Sequence, residues 1–311
     1  MNSKAVNIVW LKRDLRSQDH APLLKAECAG IPYLIIYLFE PSRIEYPDTS
    51  QRHLQFVYHS IGNLDKVLFE FNRRVELFYG EAIEVFNYLI KDLDIISVFS
   101  YQESGTQGSW ERDKKIKQFC KSNQINWKES QRDGILRGIK NREDWNKKWH
   151  LKMHTPVIQN KYTISKETHL EHPFLMPSIL ESQLKDYPNY YQPPGEKNAW
   201  RYLKSFTNQR GFNYQRHISK PMESRMSCSR LSPYLAWGNM SIKQAFQFIG
   251  THPNGTRNNK AFSAMLTRLH WHCHFIQKFE MECRYETECI NSGYEILPHE
   301  KNEAFIKAWK T

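Results

Sequence analysis

The 311-residue sequence has few cysteines and no long apolar run. The six cysteines are irregularly spaced, without the pattern of a disulfide scaffold, and we interpret them as the reduced thiols of a cytoplasmic protein. No stretch approaches ~18 uninterrupted apolar residues, so no membrane span is predicted. The short apolar run after Met1 is interrupted by Lys12 and Arg13, which argues against a signal peptide.

Acidic residues are also in short supply. The 33 Asp and Glu residues are outnumbered by 44 Lys and Arg residues, which gives a formal net charge of +11, and 14% of the residues are aromatic. Basic and aromatic side chains neutralise phosphates and stack on bases, so this composition favours a nucleic-acid partner. A basic protein with scattered lysines remains the alternative, because charge alone does not choose a partner.

The first ~130 residues alternate between strand-like and helical patterns, which is typical of βαβ units. The predicted strands are 6–10, 31–39, 74–79, 95–101 and 125–129. Apolar residues at three- to four-residue steps from Leu54 to Phe71 predict an amphipathic helix between the second and third strands. The sequence therefore predicts an α/β domain over residues 1–130, built on a doubly wound parallel sheet.

The pattern changes after residue 130. Residues 131–195 lose the alternation and gain prolines, and we interpret them as an interdomain linker with a structural role. From residue 196 the patterns are helical, with predicted helices at 199–206, 241–249 and 258–282. The third segment, 196–311, is therefore predicted to be all α.

Two short sequence runs contain residues that are suited to binding a ligand. The run 10–16 (WLKRDLR) places charges directly after the first strand, where open parallel sheets gather ligands, although such charges can also be merely solvated. The run 229–236 (SRLSPYLA) places hydroxyls and backbone amides at a helix start, with Arg225 and Arg230 nearby, which suits a phosphate. Ser232 is predicted as the N-cap and Pro233 as the first helical residue. Taken alone, the second run is only a helix start.

Together, these strings resemble the photolyase/cryptochrome family. The resemblance implies a Rossmann-like N-terminal domain followed by an all-α FAD-binding domain. It implies FAD as cofactor and an antenna chromophore, either a folate or a deazaflavin. The implied activity is blue-light-driven repair of pyrimidine dimers in DNA by a protein that is monomeric at full length.

The resemblance also assigns site residues, though no catalytic group. The FAD phosphates would contact Tyr214, Cys228, Ser229, Arg230, Leu231 and Ser232. The substrate pocket would be lined by Arg268, Trp271, His272 and Phe275. The family pattern has Glu where this chain has Arg268, Arg where it has His272, and Thr where it has Cys228. It places an Arg at Ile218, for which the adjacent Arg216 and His217 are the available substitutes.

Two alternatives accompany this interpretation. His270 and His274 are four residues apart on a predicted helix and could share a metal, but no second ligand cluster accompanies them, so no metal site is predicted. The resemblance further implies that family members continue beyond residues 305–311 (FIKAWKT), so we expect a chain truncated within the FAD-binding domain. The alternative functions are a cryptochrome-like photoreceptor without repair activity and an inactive fragment.

Overall fold

A computed structural model describes residues 4–166, 170–255, 259–298 and 300–310. Its sheet contains five parallel strands in the order β3-β2-β1-β4-β5. The strands are β1 (Lys4–Leu11), β2 (Tyr33–Phe39), β3 (Val75–Tyr79), β4 (Leu93–Tyr101) and β5 (Asn126–Ser130). All five were predicted, and the doubly wound parallel sheet is confirmed.

Both faces of the sheet are covered by helices, which explains the nearly continuous apolar runs of its strands. Successive side chains of β1 enter opposite cores. Ile8 and Trp10 pack with Phe86 on one face, whereas Val9 and Leu11 pack on the other face. In register, Val9 pairs with Ile35 of β2 and with Phe99 of β4, so β1 lies at the centre of the sheet.

The helices of the α/β part are α1 (Ala21–Cys28), α2 (Pro41–Ile44), α3 (Gln51–Leu68), α4 (Ala82–Asp92) and α5 (Gln107–Ser122). The following helices are α6 (Trp145–His154), α7 (Ser178–Lys185), α8 (Glu196–Ser205), α9 (Tyr214–His217), α10 (Pro221–Ser227), α11 (Ser232–Ala236), α12 (Ile242–Gly250), α13 (Asn259–Met281) and α14 (Glu303–Lys310). The predicted helix 258–282 corresponds to α13, with Asn258 outside the described residues. The predicted helices 199–206 and 241–249 correspond to α8 and α12.

Two details differ from the sequence prediction. Leu231, not Ser232, occupies the N-cap position of α11, so that Ser232 and Pro233 are its first two residues. The segment 131–195 also contains α6 and α7, and Trp145 and Trp149 of α6 are buried in the core of the helical part. The apolar side of α6 is therefore used for packing, which supports the structural role given to this segment. The domain boundaries themselves stay a prediction.

A buried polar interlock joins the loop after β1 (residues 12–20) to the segment after α11 (residues 237–243). Leu15 N donates to Trp237 O at 3.1 Å. Arg16 Nη1 donates to Gly238 O at 3.1 Å, and Asn239 Nδ2 donates to Leu15 O at 2.9 Å. Because these groups are buried, each lost partner leaves an unsatisfied polar atom, which makes the interlock sensitive to small displacements.

Asp19 completes the interlock from the first loop. Its Oδ1 accepts from Ile158 N at 3.0 Å and lies 2.8 Å from Lys243 Nζ, and its Oδ2 accepts from Ser241 Oγ at 2.6 Å. Ser241 in turn caps α12 by accepting from Gln244 N in a capping box. One carboxylate therefore joins its own loop to two other segments of the chain, one at Ile158 and one at residues 241–243.

Gly238 is the tightest point of the interlock. It has φ +71°, and a Cβ at this position would lie 2.2 Å from Arg13 O and 2.6 Å from Asp14 Cα. We expect Gly238→Ala to lower the free energy of unfolding by about 2–4 kcal/mol, because both the left-handed backbone and the backbone contact are lost. Urea denaturation measures this loss.

Gly250→Ala is the matched control. Outside its own helix and chain neighbours, a Cβ at Gly250 would meet no atom of the described residues within 4 Å, and this glycine ends α12. We expect a change within about 0.5 kcal/mol. Equal effects of the two substitutions would contradict the close packing at Gly238.

His20 is held as a neutral imidazole by two contacts. Its Nδ1 accepts from Leu23 N at 3.2 Å, capping α1, and its Nε2 lies 2.8 Å from Asp14 Oδ2. Burial lowers the pKa of His20 below its usual range, against the opposing attraction of Asp14. A proton added at Nδ1 would abolish the cap.

This arrangement predicts a pH dependence. As the pH falls through ~6.5, the unfolded chain protonates His20 before the folded chain does, because the pKa of His20 is lowered in the fold, so His20 makes stability fall with falling pH. Below about pH 6, wild type should lose up to about 1.4 kcal/mol more per pH unit than His20→Asn. Urea denaturation at pH 7 and pH 5 measures both slopes, and equal slopes would contradict the neutral state of His20.

Candidate functional site

A cavity of about 570 Å³ lies beside the loop between α10 and α11. The structure brings together at its wall every residue predicted for the cofactor phosphates: Tyr214, Cys228, Ser229, Arg230, Leu231 and Ser232. This cavity is called the smaller cavity below. Tyr214 reaches it from α9, and the other residues come from a single continuous stretch of the chain, which explains why a sequence motif could identify them.

Further wall residues come from distant parts of the chain. Arg52 is on α3 of the α/β part, Tyr190 and Tyr191 lie in the segment before α8, and Arg225 is on α10. The guanidinium of Arg52 stacks over Tyr191 at 4.5 Å. Sequence reasoning missed Arg52 and both tyrosines, because no local motif links them to the loop.

The charged residues described in the wall of the smaller cavity are all basic. Arg52, Arg225 and Arg230 line it, and no Asp or Glu is among the described residues of its wall. Arginine presents a planar set of donors that matches phosphate oxygens, so a wall of three arginines favours an anionic ligand with several oxygens. Burial raises the pKa of the Cys228 thiol, so the cysteine adds no competing negative charge at neutral pH.

Helix α13 approaches the smaller cavity through Arg268. The Arg268 guanidinium lies near Tyr214, whose pKa is raised chiefly by burial, and it lies 4.6 Å over the Trp271 ring. Trp271 and Phe275 are 44% and 60% exposed, with ring centroids 6.2 Å apart. Arg268, Trp271 and Phe275 thus form one exposed aromatic and cationic face beside the predicted phosphate site.

His272 is the exception among the predicted pocket residues. It is largely buried near Arg132 and Asp133, and burial lowers its pKa. Its Nε2 has no hydrogen-bond partner in the described part of the chain. His272 is therefore not part of the exposed face formed by Arg268, Trp271 and Phe275. Its assignment to a substrate pocket stays a prediction.

The two histidines considered as metal ligands have other contacts. His270 Nε2 lies 2.6 Å from Asn146 Oδ1, and His274 Nδ1 lies 3.1 Å from Arg142 Nη1. Within the described ranges, no group of three or more His, Cys, Asp and Glu side chains is arranged to hold a metal ion.

A larger cavity of about 1100 Å³ opens at the carboxyl ends of the strands. Trp10 of β1 and Tyr37 and Phe39 of β2 line it, as do Lys12 and Arg13. The position agrees with the prediction that ligands gather after the first strand. However, Lys12 Nζ is paired with Asp113 Oδ2 at 2.9 Å, so its charge is already partnered.

A buried ionic network forms one wall of the larger cavity. Arg112 binds Glu40 at 2.8 Å and Glu103 at 2.6 Å, and Arg13 lies 3.2 Å from Glu103. Burial would raise the pKa of Glu103, but the arginines around it, Arg112 above all, hold it well below its usual range. Unlike the smaller cavity, this one presents both signs of charge.

The two cavities share part of their walls. Arg52, Gln192 and Ser232 line both of them, and Trp237, which follows α11, lines the larger cavity and stacks on Arg13 at 4.7 Å. The interlock therefore fixes one end of α11, and the loop between α10 and α11 (residues 228–231) precedes the other end. No helix in the described part of the chain is long and apolar enough to cross a bilayer.

Comparison with known proteins agrees with this geometry. The DNA photolyase family model matches residues 7–161, about half of the chain. The deoxyribodipyrimidine photo-lyase of Buchnera aphidicola is 23% identical over 282 residues, which cover 84% of this chain and 56% of that protein. The Vibrio cholerae enzyme is 22% identical over 264 residues, covering 77% and 54%. The chain therefore belongs to the photolyase/cryptochrome family, and it spans about half the length of these relatives.

Solved structures share the fold. An archaeal photolyase from Sulfolobus tokodaii, described with two FAD molecules, superposes with a TM-score of 0.75 at 21% identity, over 98% of this chain and 66% of that one. The class III photolyase of Agrobacterium tumefaciens gives 0.78 at 18% identity, over 99% and 66%. The Synechocystis cryptochrome gives 0.78 at 16% identity, over 99% and 68%. The Rossmann-like domain followed by helices is thus confirmed.

Proposed function

We propose that this chain binds FAD through the smaller cavity and contributes to blue-light-driven repair of pyrimidine dimers in DNA. The main support for the proposal is the composition of the wall of the smaller cavity. This wall contains the predicted loop residues and three arginines, and no Asp or Glu among its described residues. Family membership supports the assignment, whereas the identity to each relative is too low to decide between repair and signalling.

The residues of the smaller cavity fit the pyrophosphate of FAD. Arg225 lies on α10 just before the loop, Arg230 lies in the loop, and Arg52 reaches the same cavity from α3. Ser229 and Ser232 add hydroxyls, and bidentate arginine contacts give both attraction and orientation. When bound, FAD supplies the chemistry of light absorption and electron transfer, and the protein supplies binding and orientation.

The exposed face of α13 fits a DNA substrate. A base turned out of the helix can stack on Trp271, while Arg268 and the net charge of +11 favour the phosphate backbone. Arg268 lies near Tyr214 of the cavity wall, so this face is next to the site that would hold FAD.

The larger cavity suits an antenna chromophore, either a folate or a deazaflavin. Its aromatic residues Trp10, Tyr37 and Phe39 can pack against a planar ring system, and both signs of charge are available for polar groups. The walls shared with the smaller cavity would keep such a chromophore close to FAD, as transfer of excitation requires.

A cryptochrome-like photoreceptor without repair activity is the second candidate. Two observations on α13 favour it. Arg268 stands at the family's Glu position, and His272, at the family's Arg position, is turned into the protein instead of joining the exposed face. Light-dependent loss of pyrimidine dimers distinguishes repair from signalling.

Comparison of FAD with riboflavin tests the cofactor assignment. Riboflavin lacks the phosphates that the three arginines would bind, so FAD should bind at least tenfold more tightly. Quenching of flavin fluorescence during titration with the protein measures both affinities. Equal affinities would contradict the phosphate assignment, and no binding of either compound would favour the inactive-fragment alternative.

Substitution of Trp271 tests the DNA-binding face. Stacking of a base on an aromatic ring contributes about 1–3 kcal/mol, so Trp271→Ala should weaken binding of an oligonucleotide with one pyrimidine dimer about 5- to 150-fold. FAD affinity should be unchanged. Phe69→Ala, which removes an 81% exposed ring from the α/β part, is the control and should bind like wild type. Unchanged dimer affinity in Trp271→Ala would contradict the assignment.

A further inference from the structure

Arg210 lies behind the loop between α10 and α11 (residues 228–231), and it was not identified from the sequence. It ends a π-helical turn (Phe206–Arg210) that continues α8. Such widened turns often occur at functional sites. Arg210 is absent from the wall of either cavity, so any effect on a ligand must pass through the loop.

The guanidinium of Arg210 binds the backbone on both sides. Nη2 donates to Tyr202 O at 2.9 Å and to Ser229 O at 3.2 Å. Nη1 donates to Cys228 O, and Nε donates to Ser205 Oγ at 2.9 Å. All three nitrogens are therefore used, and two consecutive carbonyl groups of the loop point toward the same side chain.

This arginine has no carboxylate partner. Among the residues that the structure describes, no Asp or Glu forms an ion pair with Arg210. Burial lowers the pKa of Arg210, and Arg230 lowers it further, whereas Tyr202 and Cys228 oppose the shift. A half-buried cation that binds only carbonyl and hydroxyl oxygens leaves a net positive charge beside the loop.

The carbonyl contacts determine where the loop amides point. In a trans peptide, the C=O of one residue and the N–H of the next point in opposite directions. Because the carbonyls of Cys228 and Ser229 face Arg210, the N–H groups of Ser229 and Arg230 face away from it. No acceptor is assigned to either N–H group within the described residues, and both residues line the smaller cavity.

We propose that Arg210 is a positioning residue that turns the backbone amides of Ser229 and Arg230 toward an anionic, phosphate-bearing ligand. This inference rests on the proposed function of the smaller cavity. Lysine cannot replace arginine in this role, because a single ammonium group cannot reach Tyr202 O, Ser205 Oγ and the two loop carbonyls together.

The test uses ADP as probe, with the variants Arg210→Lys and Arg201→Lys. Arg201 is exposed on α8, one turn from Ser205, and donates no comparable hydrogen bonds to the residues that the structure describes, so it is the matched control. Isothermal titration calorimetry should show ADP binding about tenfold weaker in Arg210→Lys and unchanged in Arg201→Lys. Because lysine keeps the charge, the salt dependence of Arg210→Lys should equal that of wild type.

A second measurement separates positioning from general stability. In wild type, ADP should shift the amide resonances of Ser229 and Arg230, and in folded Arg210→Lys these shifts should be at least halved at ADP saturation. If Arg210→Lys does not fold, the test rests on the ADP-induced amide shifts of Ser229 and Arg230 in wild type. Absence of these shifts overturns the proposal.

The outcomes are distinguishable. Wild-type affinity in Arg210→Lys overturns the role of Arg210 and leaves the proposed function intact, because wild type still binds ADP. Failure of wild type to bind ADP overturns both. Weaker binding in Arg210→Lys, together with the amide shifts in wild type, supports the proposal.

Discussion

The structure depends on one buried carboxylate, Asp19, and on the interlock around it. Asp19 has φ +54° and accepts from Ile158 N and Ser241 Oγ while pairing with Lys243. A buried charge is tolerated only when its partners satisfy it. The loop after β1, the segment at Ile158 and the segment 241–243 must therefore meet in one arrangement. The end of β1 is thereby tied to the start of α12, and α11 is held between the sheet and the helical core.

The position of α11 in turn determines both cavities. Gly238 allows the chain to pass against Arg13 and Asp14 without a side chain, which brings Trp237 onto Arg13. At the other end of α11, Arg210 binds the loop carbonyls from behind. The loop is thus fixed from two directions, and amides that are already oriented need little further ordering when a ligand binds.

The sequence predicted the elements that local patterns encode. The five strands follow from β-branched runs, and the loop residues 228–232 follow from a continuous string. It did not predict Arg52 or Arg210, since their roles arise from tertiary contacts with residues 139 and 19 positions away, Tyr191 and Ser229. His272 shows the same limit. The sequence pattern placed His272 on α13, but it did not show that this side chain would be buried near Arg132 and Asp133. That burial depends on tertiary packing.

A crystal structure of the chain with ADP would show directly where a diphosphate binds. We expect phosphate oxygens within hydrogen-bond distance of the Ser229 and Arg230 amides, with the guanidinium of Arg225 or Arg230 beside them. A diphosphate in the larger cavity, against Arg13 or Arg43, with the loop amides unliganded, would contradict it.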